Sequence, residues 1–159
     1  MDHNKLDRCV TCSRQRHREV TNYNGTLIFR IDNYMDRYLK ARDDINECLY
    51  SEPFYTSLDG YKMRLRVFLN GTGRYRGTYM SVFLDVDKKT IPFNGRVEVR
   101  LLNQMNDDRY CMQAFNINQN ETNVTNGIET FAILTKVQNE RCEYLYRDSI
   151  VIKVIVKLL

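Results

Sequence analysis

Two neighbouring stretches decide the fold: residues 63–69, MRLRVFL, and residues 79–86, YMSVFLDV. In both, apolar and polar side chains alternate with a period of two. That period marks a strand with one face on a core and the other toward solvent. The first stretch points Met63, Leu65, Val67 and Leu69 inward and leaves Arg64, Arg66 and Phe68 outward. The second buries Met80, Val82, Leu84 and Val86 and turns out Tyr79, Ser81, Phe83 and Asp85. Working outward, residues 26–31, TLIFRI, place Leu27, Phe29 and Ile31 on one face, and residues 97–102, VEVRLL, do the same with Val97, Val99 and Leu101. Residues 149–159, SIVIKVIVKLL, set Ile150, Ile152, Val154, Val156 and Leu158 on one side, with Val151 and Ile155 on the other. Apolar residues on both sides predict a central strand covered in part on both faces. Asn-Gly or Asp-Gly pairs at 24–25, 59–60, 70–71, 94–95 and 126–127 are candidate reversals between these strands. Several short strands joined by polar turns predict an all-β sandwich.

One segment departs from this rhythm. Tyr34, Tyr38, Ala41 and Ile45 recur at helical spacing, and Asn33 is a residue type suited to cap a helix start. The pattern predicts one short helix over 34–43, lying on an open end of the sandwich.

Composition bounds the function. The 159 residues fit one domain with a sizeable core, and 43% hydrophobic content excludes overall disorder. There is no 18-residue apolar run, so no membrane insertion is expected. Residues 1–22 read as a polar leader and 23–159 as the domain. The leader has no apolar signal segment, and its heptad pattern is poor. The five cysteines, Cys9, Cys12, Cys48, Cys111 and Cys142, are odd in number and irregularly spaced, which points to a reducing, cytoplasmic location. The Asn-x-Thr sequons at Asn24, Asn70, Asn120 and Asn123 then serve as turn residues. A net charge of +4 with interleaved signs argues against nucleic acid as a partner, although Arg14, Arg16, His17 and Arg18 form a short basic patch.

Catalytic chemistry is hard to assemble from these residues. The two histidines, His3 and His17, both fall in the leader, and no phosphate loop, dinucleotide fingerprint or H-E-x-x-H occurs. Cys9, Cys12 and His17 offer three metal ligands where a closed zinc site takes four, so no metal or other cofactor is expected. The outward residues say more. Arg66, Phe68 and Phe83 fall on one face of adjacent strands, and aromatics beside a cation make a recognition patch.

Those residues sit in a longer pattern: NGTLIFRI, then SEPFYTSLDGYKMRLRVFLNGTGRYRGTYMSVFL, then IPFNGRVEVRLLNQ, and finally YLYRDSIVIKVIVKLL. Over Tyr23 to Leu158 this order resembles the TRAF-C, or MATH (meprin and TRAF homology), domain, and specifically that of the TNF-receptor-associated factors. The resemblance implies an eight-stranded antiparallel β-sandwich with one short helix. It implies an intracellular signalling adaptor, not an enzyme, that binds short extended peptides from cytoplasmic receptor tails and from adaptor proteins, as a homotrimer. By motif alignment Arg66, Phe68 and Thr72 match positions that contact polar or acidic peptide groups. Phe83 and Phe115 match an apolar pocket, and Glu121, Thr122 and Asn123 match a serine-rich stretch that grips a peptide amide. Asn126 and Gly127 match the peptide-contacting pair that follows. This chain departs from the family pattern at Phe68, where tyrosine is usual, and at Thr72, where an acidic residue is. In the serine-rich stretch only Thr122 keeps a hydroxyl, and Glu121 adds a negative charge. The alternative within the family is a MATH domain that recruits substrates in a ubiquitin ligase or deubiquitinase pathway, and a third class is a secreted module with glycosylated sequons.

Overall fold

A computed structural model describes residues 22–122 and 126–159. Two antiparallel sheets face each other. One has four strands in the order β1 (Thr26–Ile31), β9 (Ile150–Leu158), β6 (Asn94–Leu102) and β7 (Tyr110–Asn118). The other runs β2 (Leu49–Tyr50), β4 (Lys62–Phe68), β5 (Tyr79–Val86) and β8 (Gly127–Ile133), with β3 (Phe54–Tyr55) also paired to β4. The architecture is the all-β sandwich that the alternation predicts.

The strand count is nine against an expected eight, and the difference lies at one edge. Tyr50 pairs with Arg66 and Phe54 with Met63, so β2 and β3 lie along the same side of β4. Between them the Leu65 N–H donates to the Ser51 hydroxyl oxygen at 2.9 Å, where an unbroken ladder would offer it a carbonyl. Pro53, two residues on, has no N–H to contribute. The two fragments are one edge strand with a break in it.

The inward residues read from the sequence form the core. Met63, Leu65, Val67, Leu69, Met80, Val82, Leu84, Val97, Val99, Leu101, Ile150, Ile152 and Val154 are all buried. Burial of each large aliphatic side chain contributes about 1.5–3 kcal/mol. Four expectations are corrected. Ser81 is buried, not outward, because it fills a register shift between β5 and β8. Leu158 is exposed, because β9 runs past the end of the core there. Asn94 and Gly95 lie within β6, paired to Asn118 and Ile117, and are not a reversal. Gly127 opens β8 opposite Phe83, so 126–127 is a strand entry and not a turn.

The helix α1 (Tyr34–Asp43) has the bounds predicted for it, with Tyr34 and Ala41 buried beneath it. Ile45 falls beyond its end and is exposed. Asn33 occupies the cap position but its side chain caps nothing; it adopts a left-handed conformation with φ of 52°. The cap comes from across the molecule. The Met35 N–H donates to the Asp148 carboxylate at 2.9 Å, and the Tyr34 N–H donates to the Asp148 carbonyl at 2.8 Å. A second helical turn, α2 (Leu134–Val137), follows β8 and supplies buried Leu134 and Val137.

Candidate recognition surface on the five-stranded sheet

The register places four residues in one row across the second sheet: Tyr50 on β2, Arg66 on β4, Phe83 on β5 and Gly127 on β8. Adjacent strands are about 4.8 Å apart, so the row spans the sheet to its edge at β8. The Arg66 guanidinium lies 5.1 Å from the Phe83 ring centroid and 5.6 Å from that of Phe68. The two rings meet edge to face at 5.7 Å. One guanidinium nitrogen of Arg66 reaches the Asp85 carboxylate at 3.3 Å, while its Nε is buried with no acceptor among the described residues. Two aromatic contacts and one ion pair therefore fix a half-buried cation, each aromatic contact worth about 0.5–2 kcal/mol.

Gly127 allows this packing. A Cβ there would collide with the Val82 carbonyl oxygen and with the ring of Phe83. The glycine thus lets the edge strand lie against the β5 backbone and the Phe83 side chain. Thr72 is held from the other side: its N–H donates to the Ser81 hydroxyl at 3.1 Å, and its own hydroxyl donates to the same oxygen at 3.2 Å. Ser81 in turn donates to the Glu129 carbonyl of β8 at 2.6 Å. Ser81 is opposite Phe68 in the register, so this hub ties the Thr72 loop, β5 and β8 beside the aromatic pair.

The remaining matched positions fall on neighbouring surfaces. Phe115 is on β7, in the other sheet, half-buried against the core. On the same face of β7, Gln113 bridges to β8 by donating to the Thr130 carbonyl at 2.8 Å, with a longer contact to that of Phe131 at 3.3 Å. Glu121 and Asn126 line an open cleft of about 500 Å³ with Asp85, Lys88, Ile117 and Gln119. Thr122 is exposed, and Asn123 lies outside the described residues. The geometry thus clusters Arg66, Phe68, Phe83 and Gly127, keeps Thr72 next to them, and sets Glu121 and Asn126 at an adjoining cleft. Sequence reading missed Tyr50, Asp85 and Ser81. The strand of Tyr50 has two residues, too few to show a period, and Ser81 sits at a position whose alternation points outward.

Cys48, Cys111 and Cys142 are free thiols, and no cluster of three or more metal-ligating side chains occurs among the described residues. Cys9, Cys12, His17 and most of the leader lie outside the described residues. Asn70 is 4% exposed, which bars a glycan at that sequon. Among the described residues no helix is long and apolar enough to cross a membrane.

The family model of the MATH domain matches residues 26–156, from the start of β1 into β9. This chain belongs to the MATH domain family. Its curated relatives include human TNF receptor-associated factor 2, 32% identical over 154 residues that cover 88% of this chain and 30% of that protein. Human TNF receptor-associated factor 1 is 31% identical over 154 residues, covering 87% of this chain and 37% of that protein. Mouse TNF receptor-associated factor 5 is 28% identical over 151 residues, covering 86% and 27%. The MATH chain here thus spans about a third of the length of these relatives. Among solved structures, Notothenia coriiceps TRAF5 superposes with a TM-score of 0.80 over 99% of this chain and 85% of that one, at 24% identity, which establishes a common fold.

Proposed function

We propose that this MATH domain is a non-catalytic cytoplasmic adaptor module that binds short extended peptides from receptor tails or from other adaptors. The observation that carries the reading is the row from Tyr50 through Arg66 and Phe83 to Gly127 on β8, the edge strand of its sheet among the described residues. An extended peptide added at β8 gains main-chain hydrogen bonds for affinity and side-chain pockets for specificity. Phe83, with Phe68 edge to face against it, takes a small apolar side chain such as proline. Arg66 and Thr72 take a polar or acidic one. Glu121 and Asn126 line the cleft beside the aromatic pair, where the negative Glu121 disfavours acidic residues, and Thr122 and Asn123, next to Glu121 in sequence, take a peptide amide.

The similarity to TNF receptor-associated factors supports receptors of the tumour necrosis factor type as the source of such tails, and the working assembly proposed with it is a homotrimer. The test is a peptide array followed by solution titration of its best sequence. Phe83→Ala should weaken binding by about 2 kcal/mol or more, roughly thirtyfold, as loss of an aromatic anchor does. Equal affinity in Phe83→Ala would move the binding surface elsewhere.

A further inference from the structure

The outer face of the four-stranded sheet gathers cations that the chain keeps far apart in sequence. The register sets Ile28, Lys153, Arg100 and Met112 in one row across β1, β9, β6 and β7. At one end of the face Lys157 pairs with Arg96; at the other Leu102 pairs with Tyr110, and Val151 follows the last β6–β9 pair. Val151 and Lys157 are about 20 Å apart along β9. Two of the cations are already matched. Arg100 Nε donates to the Glu98 carboxylate at 2.6 Å, with the guanidinium 4.5 Å from the Tyr110 ring centroid, and Arg30 pairs with Asp32 at 2.8 Å. Lys153, Lys157 and Arg96 have no carboxylate partner among the described residues. Ile28 is 52% exposed and Met112 47%, so nothing among the described residues covers this row.

We propose that this face docks an acidic amphipathic helix of a partner protein, lying along the strands. Its apolar side chains seat on Leu102, Tyr110 and Met112, and the acidic ones that follow meet Lys153, Lys157 and Arg96. A helix satisfies its own backbone groups, which an extended segment laid on a sheet face, away from an edge, does not. At about 1.5 Å per residue, a helix that spans the face has about 13 residues. Charge complementarity selects this occupant. A second copy of the chain would bring the same unmatched cations face to face, and residues 1–21 carry five Lys and Arg against three Asp and Glu. A continuous polyanion would meet the Glu98 carboxylate in the middle of the face. A bilayer takes apolar side chains that reach about 5–10 Å into its headgroups, whereas Leu102 and Val151 are half-buried in the plane of the sheet.

A displayed random library of peptides about 13 residues long tests it, selected on the Phe83→Ala protein so that the groove of the other sheet stays silent. Selection should enrich sequences in which apolar residues are followed by acids. Fluorescence titration of the enriched peptide should show binding about tenfold weaker in Lys153→Glu, where an attraction becomes a repulsion, and about tenfold weaker in Met112→Asp. Salt at about 0.5 M should weaken it in the same direction. A library that yields no acidic sequence, or an enriched peptide that binds both variants as tightly as their parent, overturns the proposal. A change of oligomeric state in Met112→Asp alone, read by light scattering, overturns it in favour of a second copy on this face. Sedimentation of the parent with phosphatidylserine vesicles that is lost in Lys153→Glu overturns it in favour of a bilayer.

Discussion

The Ser81 hydroxyl accepts from the N–H and the hydroxyl of Thr72 and donates to the Glu129 carbonyl, all while fully buried. Without it, the Glu129 carbonyl and the Thr72 N–H lose this partner in a place water does not reach, and each lost bond of this kind costs about 1 kcal/mol or more. Ser81→Ala should therefore lower stability by about 2–3 kcal/mol in urea unfolding. A change within error would mean that the loop and the bulge relax to find other partners. Tyr34 makes a different use of burial. Its hydroxyl accepts from Gln138 Nε2 at 3.0 Å, and burial, eased in part by that bond, pushes its pKa from 10.0 up to about 12. The folded protein thus keeps a proton that the unfolded chain releases near pH 10, so this contribution is complete below pH 10 and is lost as pH rises to about 12. Tyr144 is also raised to about 12, mainly by burial, and acts in the same sense. Urea midpoints between pH 9 and 11 should fall more steeply in the wild type than in Tyr34→Phe, with Tyr144 leaving a residual slope. Equal slopes would place the tyrosine hydroxyl in contact with solvent.

At the scale of elements, the cap of α1 shows how tertiary structure overrides a local signal. Asn33 has the right chemistry for a cap, but it turns left-handed, and Asp148 takes over from 113 residues away in sequence, counted from Met35. Asp148→Ala should cost about 1–2 kcal/mol, the range for loss of a side-chain cap, while Asn33→Gly should be nearly neutral because glycine tolerates the positive φ. Thermal melts of both variants check this, and a larger loss in Asn33→Gly would return the capping role to Asn33. The same contrast explains what was legible in the sequence. Strands β1, β4, β5, β6 and β9 showed clean alternation because each has one face on the core. β8 did not, because it carries extra residues against β5: Ala132 pairs with Met80 and Ile128 with Val82, four positions facing two. β7 did not, because its inward face carries Gln113, whose amide is satisfied only by β8 carbonyls supplied by the fold. The Arg66, Phe68 and Phe83 cluster was legible because all three sit on strands of regular period. The row that runs through it was not, since register between β2, β4, β5 and β8 is a property of pairing and not of any one segment.

At the scale of the whole molecule, the large apolar side chains that remain most exposed gather at one end of the sandwich. Leu58 is 74% exposed, Ile91 72% and Leu159 71%. Leu58 is in the turn between β3 and β4, Ile91 in the loop between β5 and β6, and Leu159 just after β9. Hydrogen bonds bring the three segments together. The Tyr61 hydroxyl donates to the Ile91 carbonyl at 2.8 Å, the Lys89 ammonium donates to the Asp59 carbonyl, and the Leu159 N–H donates to the Asn94 carbonyl at 3.0 Å. The chain also enters the domain here, where the Val156 N–H donates to the Gly25 carbonyl at 2.8 Å just ahead of β1. Apolar side chains clustered this way mark a contact surface, and its place at the chain entry suits the homotrimer proposed above. A patch of three side chains makes a modest interface, so the assembly should be weak, with dissociation on dilution near micromolar concentration. Leu58→Asp combined with Ile91→Asp should leave a monomer at concentrations where the wild type is trimeric, with an unchanged melting temperature for the monomer, since neither side chain supports the core. Light scattering across a dilution series reads this directly. A wild type that stays monomeric at high concentration overturns the trimer, and a double variant that still assembles moves the interface to another face.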